Sequence, residues 1–169
     1  METDEGTRDG TRRGARAIPV ALICGLLLAG CGKSDSTGVA PTACLSGSGA
    51  YLSALEEAPT RVQLSDGSEI SQCLAPRQSG GEMATIGSDL VAATTTLNAR
   101  ALEDPSGPWS LRAGYLVGAV EKAAWTSNGI HTDLVRRLNV AATYVPTGVD
   151  PAVLQPGLDR GLEAGRRLG

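Results

Sequence analysis

The chain has 169 residues and a net charge of −3, with 18 acidic residues against 15 basic ones. That balance excludes the concentrated basic face of a nucleic-acid binder and the polybasic patch of a protein held on an anionic membrane surface. With no Phe, two Trp, three Tyr and one His, the core must be built from Leu, Val, Ile and Ala, and a zinc site with four clustered ligands finds no support.

The first element is a basic cluster followed by an apolar run. Arg12, Arg13 and Arg16 precede residues 17–29. That run is about 13 residues long, the size of a signal-peptide core and short of the ~20 a spanning helix needs. An acidic tract (Glu2, Asp4, Glu5, Asp9) lies upstream, but the positive charges sit next to the apolar core, where orientation is decided. Small residues follow, where a peptidase must fit an extended backbone. The order Leu28-Ala29-Gly30-Cys31 resembles the lipobox of bacterial lipoproteins. The resemblance implies that Cys31 receives a diacylglycerol thioether, that residues 1–30 are removed as a signal peptide, and that the new amino terminus is often acylated. It further implies a protein held by lipid on the extracytoplasmic face of the cell membrane. Two or three acyl chains hold a protein firmly, whereas one does so only marginally.

Under that resemblance Cys24 leaves with the leader and Cys31 carries lipid. Cys44 and Cys73 remain, either paired with each other or present as two buried free thiols. Export permits a disulfide, and closing a loop of about 30 residues stabilises by roughly 3–4 kcal/mol in the chain-entropy model. The leader holds as many basic as acidic residues, so the mature chain keeps the net charge of −3.

Residues 31–43 read as a lipidated terminus and a Gly/Ser/Thr/Pro linker, too polar to fold by itself. Such a linker holds a domain about 20 Å from its attachment point. Gly32-Lys33-Ser34 is not a phosphate loop, because Leu27 stands where that motif requires Gly. The folded domain is expected over residues 44–169. A short helix is predicted over residues 48–57, with Tyr51, Leu52 and Leu55 on one side and Pro59 as its stop. Val62 and Leu64 alternate with polar residues before Asp66-Gly67, which predicts a small hairpin or extended turn. A helical turn then leads to Pro76.

The next helix is predicted over residues 82–102, where Met83, Ile86, Leu90, Leu97 and Ala101 share a face. Thr94, Thr95 and Thr96 lower its propensity, and Asp104-Pro105-Ser106-Gly107-Pro108 breaks it. A third helix is predicted over residues 109–126. Its Gly114 and Gly118 lie on one face and let a neighbouring helix approach closely. Asn128 is expected to cap a fourth helix over residues 129–144, striped by Ile130, Leu134, Leu138 and Ala141. Asp150-Pro151 opens a last helix, kinked at Pro156. Its Gly157, Gly161 and Gly165 repeat every four residues and cost about 1 kcal/mol each against Ala unless packing offsets them.

Candidate chemistry is sparse. His131 beside Asp133 has the residue types of a general base and its orienting carboxylate, but near neighbours on a helix do not face each other. The competing reading is a surface or capping histidine. Trp109, Tyr115, Trp125 and Tyr144 form a candidate ligand groove, with core filling as the alternative. Arg136-Arg137 and Arg166-Arg167 are basic pairs that suit lipid head groups or anionic wall polymer, or that simply face solvent. No cofactor or metal is implied.

The whole reads as an all-α single domain, bundle-like, of four to five helices with a short non-helical or hairpin subregion near its start. The mature part is similar to uncharacterised exported lipoproteins of high-GC bacteria in residues 64–74 (LSDGSEISQCL), 114–119 (GYLVGA) and 129–138 (GIHTDLVRRL). That resemblance implies no activity. The expected role is non-catalytic binding or assembly in the cell envelope, with an envelope protein as partner. The alternatives are a small-molecule carrier with a pocket between helices and, third, an enzyme that uses His131.

Overall fold

A computed structural model describes residues 38–146 and 148–169. The lipobox, Cys31 and the predicted leader lie outside the described residues. Among the described residues, five α-helices form an all-α bundle: α1 (Ser48–Ala54), α2 (Gly80–Glu103), α3 (Trp109–Thr126), α4 (Thr132–Thr143) and α5 (Gln155–Leu168). Short 3₁₀ turns at Thr42–Leu45, Leu55–Glu57, Ile70–Cys73 and Pro151–Val153 complete the fold.

The segment before α2 has no strand among the described residues. Of the two expected forms, hairpin or extended turn, the second is found: an extended stretch with one tight turn, in which the Leu64 N–H donates to the Ser68 carbonyl (2.9 Å) and the Gly67 N–H to the Leu64 carbonyl (2.9 Å). Gly67 takes φ +83°, which a Cβ would disfavour. Asp66 spends its carboxylate on the Ser68 N–H (3.0 Å), the Ser68 hydroxyl and the Ala43 N–H (3.3 Å). The turn is thereby tied back to the start of the domain rather than to a second strand. Cys44 and Cys73 are both fully buried and form a disulfide, with Cα atoms 5.5 Å apart and a sequence separation of 29.

Two buried tyrosines tie this subregion together. The Tyr51 hydroxyl donates to the Cys44 carbonyl (2.7 Å). The Val62 N–H donates to the Tyr115 hydroxyl (3.2 Å), which links the extended stretch to α3. Burial raises the pKa of both phenols, so they remain neutral hydrogen-bonding groups.

α2 starts with the reciprocal cap of Ser79 and Glu82. Its three threonines return their hydroxyls to the carbonyls of Leu90, Val91 and Ala92 (2.8, 2.8 and 2.9 Å), so they satisfy themselves within the helix. Ile86, Leu90, Ala93, Leu97 and Ala101 form the buried stripe. α3 is the central helix and is buried on nearly every side, from Ser110 to Ala124.

α5 lies directly against α3. A Cβ at Gly161 would collide with the Leu111 carbonyl, one at Gly165 with the Tyr115 carbonyl, one at Gly114 with the Leu158 carbonyl and one at Gly118 with the Leu162 carbonyl. The two glycine ridges interlock, and the order of these contacts makes α3 and α5 parallel.

Asn128 does not cap α4. It takes φ +54° and Gly129 φ +80°, and the Gly129 N–H closes back on the Ala124 carbonyl (3.0 Å). The pair terminates α3 in a left-handed turn, so α4 starts only at Thr132. Asn tolerates the left-handed region better than most residues, so the same side chain suited either role.

Candidate functional site

The last turns of α3, the Asn128-Gly129 turn, the first turns of α4 and the end of α5 enclose a surface groove of about 870 Å³. The left-handed turn at Asn128-Gly129 forms part of its wall. Ala124, Trp125 and Val135 supply its apolar surface. Trp125 is 88% exposed, although a large indole is usually at least half covered in a folded domain. Ile130, 55% exposed, follows the turn but does not line the groove.

Charges line the groove in paired form. Arg166 donates to Glu121 (2.5 Å) across the α3–α5 seam. Lys122 meets Glu69 (3.1 Å) and the backbone oxygen of Gly169, and Glu69 also holds Arg61 (2.8 Å). The cations are satisfied, so an apolar or aromatic partner surface is a better match to this groove than a polyanion.

His131 closes the inner side of the same turn. It is 2% exposed, which corrects the surface or capping reading. It occupies the residue before α4, yet its side chain caps nothing. The ring lies beside the Leu74 backbone, but neither ring nitrogen has a hydrogen bond of normal geometry among the described residues. Burial holds its pKa below the ordinary histidine range, and the neighbouring Leu74 backbone offsets this only in part. Asp133 faces outward to Arg136 (2.8 Å), so it does not orient the imidazole.

The four aromatics of the predicted groove are not brought together. Tyr115 is fully buried and serves the core. Trp109, partly buried at the start of α3, has the guanidinium groups of Arg100 (4.9 Å) and Arg112 (5.0 Å) over its ring. Tyr144 is 67% exposed at the end of α4, where its carbonyl accepts from the Asn98 side chain (2.6 Å). Only Trp125 lines the groove at the end of α3. Core filling therefore holds for Tyr115 and fails for Trp125 and Tyr144.

The basic pairs also separate. Arg136 and Arg166 are ion-paired, and Arg167 approaches Glu163 at 3.9 Å. A void between α2, α3, α4 and α5, lined by Asn98, Ser110, Ala142 and Leu158, measures about 30 Å³, room for a water molecule rather than a carried ligand.

Glu121, Lys122, Val135 and Arg166 were not singled out as groove residues from the sequence. The glycine ridges carry a signal for Glu121 and Arg166. Close approach of α3 and α5 places Arg166 beside Glu121, 45 positions earlier. No helix among the described residues is long and apolar enough to cross a membrane, and none of their acidic, histidine or cysteine side chains group into a metal site. Comparison with family models, curated proteins and solved structures gives no match to this chain.

Proposed function

We propose that this is a lipid-anchored protein of the cell envelope. Cys31 carries the lipid, and the helical domain has a non-catalytic binding or assembly role through the groove at Trp125. The observation that carries the binding role is the 88% exposure of Trp125 over an apolar groove whose charges are already paired. Leaving an indole in water forgoes a large burial energy, and aromatic anchors dominate many protein interfaces.

The position of the groove suits a tethered protein. Gly38 packs against Arg77, just after Leu74, and Leu74 lies beside His131 at the turn that shapes the groove. The described chain thus enters the domain on the side of Arg77 and Leu74. From Cys31 to Gly38 the chain reaches at most about 25 Å. Membrane proteins close to the bilayer are the partners within that reach.

A photo-reactive amino acid in place of Trp125 tests the role, with the same group at Val140 as the control. Val140 is 60% exposed on α4 and does not line the groove. Cross-linking in intact cells should trap one discrete envelope protein from position 125, and position 140 should not trap it. Adducts with lipid alone, or the same products from both positions, would contradict the binding role.

A further inference from the structure

His131 is buried at a joint of the fold. Its ring is 2% exposed, and neither ring nitrogen has a hydrogen bond of normal geometry among the described residues. An apolar side chain of similar size would fill that space without leaving two polar atoms unpaired. The residue stands between the left-handed Asn128-Gly129 turn and the first residue of α4, and its carbonyl accepts the Val135 N–H (3.1 Å). Asn128, Gly129 and Thr132 line the groove at Trp125. The ring and one wall of the groove are therefore carried on the same short stretch of backbone.

The ring keeps this place only while neutral. A proton would put a full charge into a buried site. It would also sit directly before the amino terminus of α4, where the helix already presents partial positive charge. No carboxylate is at hand to balance it. On α3, Glu121 pairs with Arg166 and Lys122 with Glu69. On α4, Asp133 turns outward to Arg136. On α2, Glu82 is held in the Ser79 cap and Asp89 acts on Tyr51. On the segment that carries Leu74, Glu69 is shared by Arg61 and Lys122, and Arg77 is a cation rather than a counter-charge. No charged side chain perturbs the ring, and only the Leu74 backbone favours its charged form.

The ties of the turn are local. The Gly129 N–H donates to the Ala124 carbonyl (3.0 Å), the Ile130 N–H to the Ser127 carbonyl (3.3 Å) and the Thr132 hydroxyl to the Gly129 carbonyl (2.6 Å). None of them crosses to α5, and the fully buried Leu138 anchors α4 further along. The turn can open without parting the α3–α5 seam.

We infer that His131 is a proton-operated latch on the groove: uptake of a proton drives the ring into water, undoes the Asn128-Gly129 turn and opens the groove wall beside Trp125. The ring reaches water only if residues 128–132 move, so the bound proton and the closed groove exclude each other. Once open, the ring has the ordinary histidine pKa of about 6.5; closed, burial holds it lower. The groove is therefore intact above that range and opens as pH falls through the lower, folded value. What the latch controls rests on the reading of this groove as the binding site, whereas its opening requires no partner.

NMR of the full chain in detergent, titrated from about pH 7.5 to about pH 4.5, tests the latch. His131 is the only histidine, so its ring signals are unambiguous. The ring should titrate below the ordinary value. The amide signals of Asn128, Gly129 and Thr132 and the indole N–H of Trp125 should change with the same midpoint, while those of Gly114 and Gly161 in the seam stay unchanged. His131→Leu should remove the change at the turn; the wild-type titration stands without it if that variant folds poorly. Cross-linking capture from position 125 should fall by up to about tenfold per pH unit below the midpoint. A ring that titrates at the ordinary value or stays neutral throughout, turn signals indifferent to its titration, or loss of the seam signals at the same midpoint would overturn the inference. So would capture that persists unchanged after the turn has opened. Absence of capture at every pH would count against the binding role alone, because the ring and turn signals are read without a partner.

Discussion

His131 shows how much a single side chain depends on its surroundings. It is 2% exposed, and both ring nitrogens lack partners among the described residues. Its pKa in the folded state lies below the ordinary value of about 6.5 that applies when the chain is unfolded. Above that value the ring is neutral in both states, so it adds no dependence of stability on pH. As pH falls below it the unfolded chain takes up the proton and the folded one resists. Stability should therefore fall by up to about 1.4 kcal/mol per pH unit until the folded pKa is reached. Urea unfolding at pH 7.5 and pH 5.5 measures this directly. His131→Leu should be close to neutral or stabilising at pH 7.5 and should lose that part of the decline; an equally steep decline in the variant would assign it elsewhere. The sequence placed this histidine at a helix start, which favours exposure. Nothing local indicates that Leu74 comes to lie beside it. Trp125 is the opposite case, since its helical position is compatible with burial or exposure and only the direction of α4 decides between them.

At the scale of elements, the α3–α5 seam governs the geometry of both ends. It aligns Arg166 with Glu121 beside the groove and brings two helix amino termini together at the other end of the bundle. Gly161→Ala puts a methyl group into the Leu111 carbonyl, and forcing the backbones apart should cost about 3 kcal/mol or more. Gly81→Ala, with nothing within 4 Å of the new Cβ, should instead gain several tenths of a kcal/mol to about 1 kcal/mol. Thermal or urea unfolding of the pair checks the contrast, and similar effects at both positions would show that the seam is not as close as described. The glycine spacing was legible in the sequence, as were α2 and α3, because long apolar stripes and flanking Pro and Gly leave few alternatives. The parallel sense of α3 and α5 was not legible, because a glycine ridge fits a neighbour running either way. The residues around Asp66-Gly67 suit a hairpin or an extended turn, and the extended turn is what forms. Their alternation is too short to hold strands, and the Asp66 carboxylate supplies the turn with its own closing bonds.

At the scale of the molecule, a bundle with few aromatic residues is held by two kinds of tie. One is the glycine seam; the other is the disulfide that staples the irregular start of the domain. Removing the Cys44–Cys73 bridge by the double substitution to Ala should lower unfolding free energy by roughly 3–4 kcal/mol, read as a lower urea midpoint. A midpoint within experimental error of the wild type would show that Tyr51 and Tyr115 suffice to hold that region. The pairing of these cysteines followed from assigning Cys31 to lipid and Cys24 to the leader, and the two buried sulfurs do meet. Their meeting is independent of the lipid itself, which rests on the Leu28-Ala29-Gly30-Cys31 motif alone. The most direct test of the account is the mass of the amino-terminal peptide of the protein recovered from membranes. The account requires a chain beginning at Cys31 and bearing two or three acyl groups; a chain that retains residues 1–30 with an unmodified Cys31 thiol would contradict it.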